Sequence, residues 1–239
     1  MVEQLISALV TALTRCHREG TRLRATDWQH AVRSEADAYA VQEGVAAALG
    51  WPLTRWKSGG ARREGPFSHS PVNPVASQHL LGIEVEVALR LGRDVSPAPA
   101  QEPLTDAIDA MCVSIELIAS RWEEGLAAPE LLRFADHQSN AGLLLGDWQP
   151  YRPLDWAALP WRLRLEGQPE IARQGGHALA DPAWVVPHWL RHATRTGRTL
   201  PAGSVVTTGA WAGLHPLGSA SAGELWMQEL GTLSFSARA

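Results

Sequence analysis

Glu84 and Glu86 stand two residues apart in a run that alternates in type, Ile83-Glu84-Val85-Glu86-Val87-Ala88-Leu89-Arg90-Leu91. Successive side chains of a β-strand point to opposite faces. Glu84 and Glu86 therefore share one face, and Ile83, Val85, Val87, Leu89 and Leu91 share the other. Glu116 stands in a second run of this kind, with Val113, Ile115 and Leu117 on one face and Ser114, Glu116 and Ile118 on the other. If the two strands are neighbours and their Glu-bearing faces coincide, three carboxylates converge. Packed together they repel, and they are expensive to desolvate. A hard divalent cation relieves both costs. Mg²⁺ or Mn²⁺ suits an all-oxygen site, with water or substrate filling the remaining octahedral positions. The competing reading of the same residues is a solvated strand face carrying ordinary acidic side chains.

Lys57 is a second candidate. It follows Trp56 and precedes Ser58-Gly59-Gly60, at the start of a polar, Gly- and Pro-punctuated stretch that reads as a loop through Asn73. A lysine near a metal-bound oxo-acid would polarise its carboxylate or move a proton; a lone lysine is otherwise a solvated surface residue. Asp136-His137-Gln138-Ser139-Asn140 is a third candidate, either lining a pocket or forming an Asx-type turn that caps the helical segment before it. Other motifs fail. His188 and His192 are four apart on an expected helix, but Trp189-Leu190-Arg191 between them lacks the general-base Glu of a zinc protease, which leaves packing and surface roles. Gly218 to Gly223 lacks the spacing of a nucleophile elbow. No phosphate-binding loop or dinucleotide fingerprint is present.

The elements that would carry these residues are an N-terminal helix (Val2, Leu5, Ile6, Leu9, Val10 and Leu13, ended by Gly20) and a second helix opening at Ser34, with Asp37 as a capping partner and Gly50 as its stop. The strands Ile83–Leu91 and Val113–Ile118 follow, separated by a Pro-containing linker over Ser96–Pro103 and a short helix around Asp106–Met111. A helical turn is expected over Glu130–Ala135 and a strand over Ala141–Leu145. The last third reads as short strands, Trp161–Leu165, Val205–Thr208, Glu224–Gln228 and Thr232–Ser236. One helix interrupts them between Asp181 and Gly197, kinked by Pro187. Short strands after a helical start indicate an α+β protein with a rolled or sandwiched sheet.

Composition bounds the function. With 45% hydrophobic and 19% charged residues, the 239-residue chain has the balance of a globular protein. Lys plus Arg is 21 against 25 for Asp plus Glu, a net charge of −4 that argues against tracking a phosphate backbone. No run reaches the length of a membrane span, and the apolar run Leu5–Leu13 lacks the flanks of a signal peptide, so a cytoplasmic protein is expected. Cys16 and Cys112 are too few for a disulfide framework or a thiolate zinc site. Eleven Trp against two Tyr and three Phe point to dense packing or an interface.

Taken together, the motifs resemble the fumarylacetoacetate hydrolase superfamily, in its 2-oxopent-4-enoate hydratase and 4-oxalocrotonate decarboxylase branch. The resemblance is carried by Glu35 to Gln42, Trp56-Lys57, Ile83 to Ala88, Ser114 to Arg121, Phe134 to Ser139, Trp189-Leu190, Gly197, Leu200-Pro201-Ala202-Gly203 and Thr208-Gly209, in the family's order. It implies a mixed β-roll over residues 57–239 behind an N-terminal helical region over 1–56. It implies Mg²⁺ or Mn²⁺ on Glu84, Glu86 and Glu116, with Lys57 orienting the acid or shuttling a proton and Asp136 and Ser139 lining the pocket. The substrate would be a small 2-oxo or 2-hydroxydienoic acid of aromatic meta-cleavage, hydrated or, alternatively, decarboxylated. The protein would form a homo-oligomer, in some cases a complex with a related decarboxylase or hydratase, or serve as a non-catalytic partner subunit. The sequence departs from the family between residues 58 and 82, which are shortened, and at His137, where the family has Asn. A second cationic group for a dicarboxylic acid would come from Arg62, Arg63 or His69, and His69 is the nearest counterpart by region to a hydrolase-branch histidine.

Overall fold

The chain begins with α1, Val2–Glu19, followed by α2, Glu35–Leu49. Then come β1, Arg55–Gly59; β2, Ser68–Pro71; β3, Gly82–Leu91; β4, Ile108–Ile118; α3, Glu130–Ala135; β5, Asn140–Leu145; and β6, Gln149–Pro150. The remainder is β7, Pro160–Leu165; β8, Ile171–Gln174; α4, Val186–Thr194; β9, Val205–Thr207; β10, Leu214–Pro216; β11, Ala222–Met227; and β12, Gly231–Ser236. This computed structural model describes residues 2–74, 80–97 and 104–236. The chain is α+β, and it divides into two compact units.

The first unit comprises Met1–Leu53, Ser70–Gly82 and Leu117–Leu143. Leu9 and Leu13 of α1, Ala38, Val41 and Val45 of α2, and Leu132 and Ala135 of α3 bury together around Trp122. Fully burying each leucine contributes roughly 1.5–3 kcal/mol. α1 and α2 approach closely at Gly44, where a Cβ would lie 2.7 Å from a Val10 methyl group. Ser34 caps α2 by accepting from the Asp37 N–H at 3.2 Å, and Asp37 accepts in return from the Arg33 N–H at 2.9 Å. The reciprocal bond of the cap thus reaches one residue further back than in a standard capping box. Gly50 ends the helix in the left-handed region, φ 66°.

The second unit comprises Thr54–His69, Ile83–Glu116 and Leu144–Ala239. Its main sheet runs β1-β9-β3-β4. β1 and β9 are parallel, with Lys57 opposite Thr207, and β9 and β3 are antiparallel, with Thr207 opposite Ala88. A second, antiparallel sheet runs β12-β11-β7-β8. In β7, Trp161, Leu163 and Leu165 are buried while Arg162 and Arg164 between them are exposed, the alternation of a one-sided sheet. Trp161, Trp189 and Trp211 are fully buried in this unit and Trp122 in the first, so tryptophans supply much of the core volume.

Three local expectations fail. The stretch from Lys57 to Asn73 is not a continuous loop, because β1 and β2 lie in it. The helix expected around Asp106–Met111 is a 3₁₀ turn, Leu104–Ala107, after which β4 starts at Ile108. The helix expected from Asp181 to Gly197 is two pieces, a 3₁₀ turn over Pro182–Val185 capped by Asp181 and then α4. Pro187 falls in the first turn of α4, where its missing N–H costs nothing, instead of kinking a longer helix. The linker expected over Ser96–Pro103 lies mostly outside the described residues. Among those described, no helix is long and apolar enough to cross a membrane.

Candidate metal centre

Strand alternation decides the site in the second unit. Glu84 and Glu86 share a face of β3, and Glu116 comes from the adjacent β4. The three offer carboxylate oxygens that all lie within 4.8 Å of one another. Glu86 and Glu116 are fully buried and Glu84 partly so. Lys57 projects from β1 into the same group and donates from Nζ to Glu116 Oε1 at 2.6 Å. With all four groups ionised, three negative charges and one positive leave two negative charges uncompensated.

Burial pushes the Glu86 carboxyl well above its usual range, and repulsion from Glu116 and Glu84 adds to it. Burial and Glu116 raise Glu84 in the same way. Burial pulls the Lys57 ammonium down, but the carboxylates of Glu116, Glu84 and Glu86 outweigh it, so its affinity for the proton is raised. The group therefore favours binding positive charge, as protons or as a cation. Three convergent carboxylates, two of them fully buried and with no thiolate or imidazole among them, match a hard, oxygen-seeking divalent cation, and the two uncompensated charges match its valence.

Glu86 is held from a second side. Thr207 Oγ1 donates to its Oε2, and the Gly209 N–H donates to the same oxygen at 3.2 Å. Ser114, on the Glu116 face of β4, contacts Thr207 Oγ1 at 3.2 Å. None of these three residues was singled out as part of a site from the sequence. Thr208-Gly209 stood in the resemblance, but Thr207, one residue earlier on the opposite face of the strand, left no pattern of its own.

Asp136 and Ser139 lie in the first unit. Asp136 is fully buried, and its carboxylate accepts from Arg121 Nε at 2.5 Å and from the Arg121 N–H at 3.0 Å. Burial raises its pKa, and the Arg121 charge and hydrogen bonds oppose the rise. Its carboxylate is thus taken up by a buried ion pair, not by an Asx turn on α3. The Ser139 N–H donates to the Asp136 carbonyl at 2.9 Å. His137, Gln138 and Ser139 are three consecutive non-glycine residues at positive φ, 49°, 55° and 62°. Such a run costs energy that its surroundings must repay. His137 Nδ1 meets Ser70 Oγ at 3.2 Å.

His69 is paired in the second unit with Ser58, whose Oγ lies 2.9 Å from His69 Nδ1, and its ring packs 4.6 Å from that of His192. Ser58 and Trp56 share the β1 face opposite Lys57, so this histidine pair belongs to the back of the strand that carries the lysine. Burial pushes both imidazoles down to about 3. His188 stacks on Phe67. Arg63 donates to the Leu179 carbonyl at 2.7 Å and lies over the Trp184 ring.

Residues 64–236 match the family described as fumarylacetoacetate (FAA) hydrolase, C-terminal. A 2-keto-4-pentenoate hydratase of Paraburkholderia xenovorans (strain LB400) is 26% identical over 167 residues, covering 67% of this chain and 59% of the relative. A 4-oxalocrotonate decarboxylase of a Pseudomonas species is 26% identical over 156 residues, 64% of this chain and 59% of the relative. The matched stretch thus spans under two thirds of these relatives' length. The structure of 4-oxalocrotonate decarboxylase from Pseudomonas putida G7, complexed with magnesium and adipate, shares the fold with a TM-score of 0.76 at 19% identity, covering 98% of this chain and 97% of that one. The same protein complexed with calcium and acetate gives 0.75. With the family model spanning most of its length, the chain belongs to the fumarylacetoacetate hydrolase family.

Proposed function

We propose that the chain is a divalent-cation-dependent lyase that hydrates a small 2-hydroxydienoic acid, 2-hydroxypenta-2,4-dienoate or a close analogue, with Mg²⁺ or Mn²⁺. The observation that carries this reading is the convergence of Glu84, Glu86 and Glu116 within 4.8 Å beside the Lys57 ammonium. The curated relatives named as hydratases support the reaction class.

The glutamates would hold the cation, Glu86 steadied by Thr207 and Gly209. A bound cation supplies a Lewis acid for the C2 oxygen and carboxylate of a 2-oxo acid. Lys57, kept charged by the carboxylates around it, orients the substrate acid and delivers the proton that turns the dienol into an acceptor for water.

Decarboxylation of a 2-oxo dicarboxylic acid is the second reading, favoured by the named decarboxylase relative. It asks for a cation to hold the second carboxylate. Of the three groups expected for that role, Arg63 is engaged by Leu179 and Trp184 and His69 is buried and neutral beside Ser58, which leaves the exposed Arg62 as the group on which the decarboxylation reading depends. The test is incubation of the Mg²⁺- or Mn²⁺-loaded protein with 2-hydroxypenta-2,4-dienoate, following loss of the dienol absorbance, with CO₂ release from a 2-oxo dicarboxylate measured separately. Equal rates for Glu86→Ala and wild type would overturn the mechanism.

A further inference from the structure

We propose that Thr207 is the positioning residue of the acidic centre: its hydroxyl, backed by Ser114, fixes the Glu86 carboxylate in the one orientation that lets the three glutamates share a divalent cation. The proposal rests on the cation reading given above.

Thr207 occupies the strand between the lysine and the glutamates, opposite Lys57 on one side and Ala88 on the other. Its side chain is fully buried. At such a β position a valine would fill the same volume without burying a hydroxyl, which is costly unless it is bonded. The hydroxyl has one proton, and it goes to Glu86 Oε2. Its 3.2 Å contact with Ser114 therefore has Ser114 donating, which gives a directed chain from Ser114 through Thr207 to Glu86.

Glu86 Oε2 also accepts from the Gly209 N–H. Two donors occupy both lone pairs of that oxygen, so Oε1 is the one left to meet a cation, and Glu86 would bind through a single oxygen. The donors cannot drift. The Thr208 N–H and Oγ1 both donate to the Val87 carbonyl, at 3.2 and 2.8 Å. The Thr208 carbonyl accepts from His177 Nε2 at 2.9 Å, while His177 Nδ1 accepts from the Leu179 N–H, which fixes the tautomer. Gly209 sits at φ 103°, a conformation that side-chain-bearing residues rarely adopt, and this aims its N–H at Glu86. The turn is thus fastened at Thr207 by strand pairing and at Thr208 by three hydrogen bonds, and the Thr207 hydroxyl and the Gly209 N–H meet one carboxylate oxygen. Groups that orient a ligand in this way are worth about tenfold to a hundredfold in metal affinity.

The test is Mn²⁺ titration of the metal-free protein by calorimetry or electron paramagnetic resonance, without substrate. Thr207→Val should bind Mn²⁺ about tenfold to a hundredfold more weakly than wild type, and Thr207→Ser, which restores the hydroxyl, should recover most of that loss. Ser114→Ala should fall between them. Circular dichroism of each metal-free variant checks the fold; if Thr207→Val is unfolded, Ser114→Ala carries the test alone. Binding by Thr207→Val, or then by Ser114→Ala, indistinguishable from wild type would overturn the proposal while leaving the cation reading standing. A wild-type protein that binds no Mn²⁺ would overturn both.

Discussion

Lys57 Nζ touches Glu116 Oε1 at 2.6 Å although β9 and β3 lie between their strands. Three inter-strand steps of ~4.8 Å would separate the two backbones by roughly 14 Å in a flat sheet. The contact requires the sheet to curl so that the lysine and the glutamates face one another across a concave surface. A residue near the start of the sheet thereby enters a site whose acids come from its middle.

Replacing Lys57 with Met should separate chemistry from binding. The ammonium repels a second cation, so Mn²⁺ affinity should stay the same or rise. Turnover should fall by about 10²–10⁴, the usual contribution of a positioned proton donor. Mn²⁺ titration and steady-state rates on one preparation check this; parallel losses in both would assign Lys57 to the fold instead.

Glu86→Gln should stabilise the metal-free protein. The folded-state pKa values of Glu84 and Glu86 lie above the ordinary value of 4.5, so the folded chain holds protons that the unfolded chain has released. Their contribution is present below about pH 4.5 and is lost as pH rises through the raised folded values. In chelator at pH 8, the glutamine variant should therefore melt higher, by ~2–4 °C for each kcal/mol relieved. The gap should close toward pH 4.5. Saturating Mg²⁺ should reverse the order, because only wild type gains the binding free energy.

The Arg121–Asp136 pair should be costly to break and cheap to replace. Asp136→Ala leaves a buried guanidinium uncompensated, which typically costs about 3–5 kcal/mol. Arg121→Met with Asp136→Leu together should cost markedly less. Urea unfolding of the single and double variants measures the difference, and an additive double variant would show that the two charges do not act as a pair.

His69 and His192 are both pushed down to about 3 by burial, so the folded protein keeps them neutral while the unfolded chain protonates them near pH 6.5. The stability they allow is present above pH 6.5 and drains as pH falls toward 3. Between pH 7 and pH 5 each should account for up to about 2 kcal/mol of that loss. His192→Phe should therefore show a smaller drop in urea midpoint over this interval than wild type.

The alternation of β3 and β4 was legible because period-two patterning states directly which side chains share a face; that the two strands are neighbours, which brings Glu84, Glu86 and Glu116 together, had to come from the structure. β1 was not legible. Ser58-Gly59-Gly60 reads as a turn, and only pairing with β9 makes a strand of Arg55–Gly59. The ion pair of Asp136 was hidden for a similar reason, since its partner Arg121 lies in a bend beyond the end of β4 with no local signal linking the two. Thr207 escaped because a buried threonine in a strand looks like any β-branched core residue until its hydroxyl is seen to point at a carboxylate.

The acidic trio is spaced by the pleat along β3 in one direction and by the step from β3 to β4 in the other. The backbone lattice, rather than any loop, therefore acts as the gauge for the ion. A one-residue insertion in β3 ahead of Glu84 would turn both of its acids to the apolar side and bring Ile83 and Val85 into their place. Lineages carrying this chain should tolerate length changes on either side of β3 and none within it.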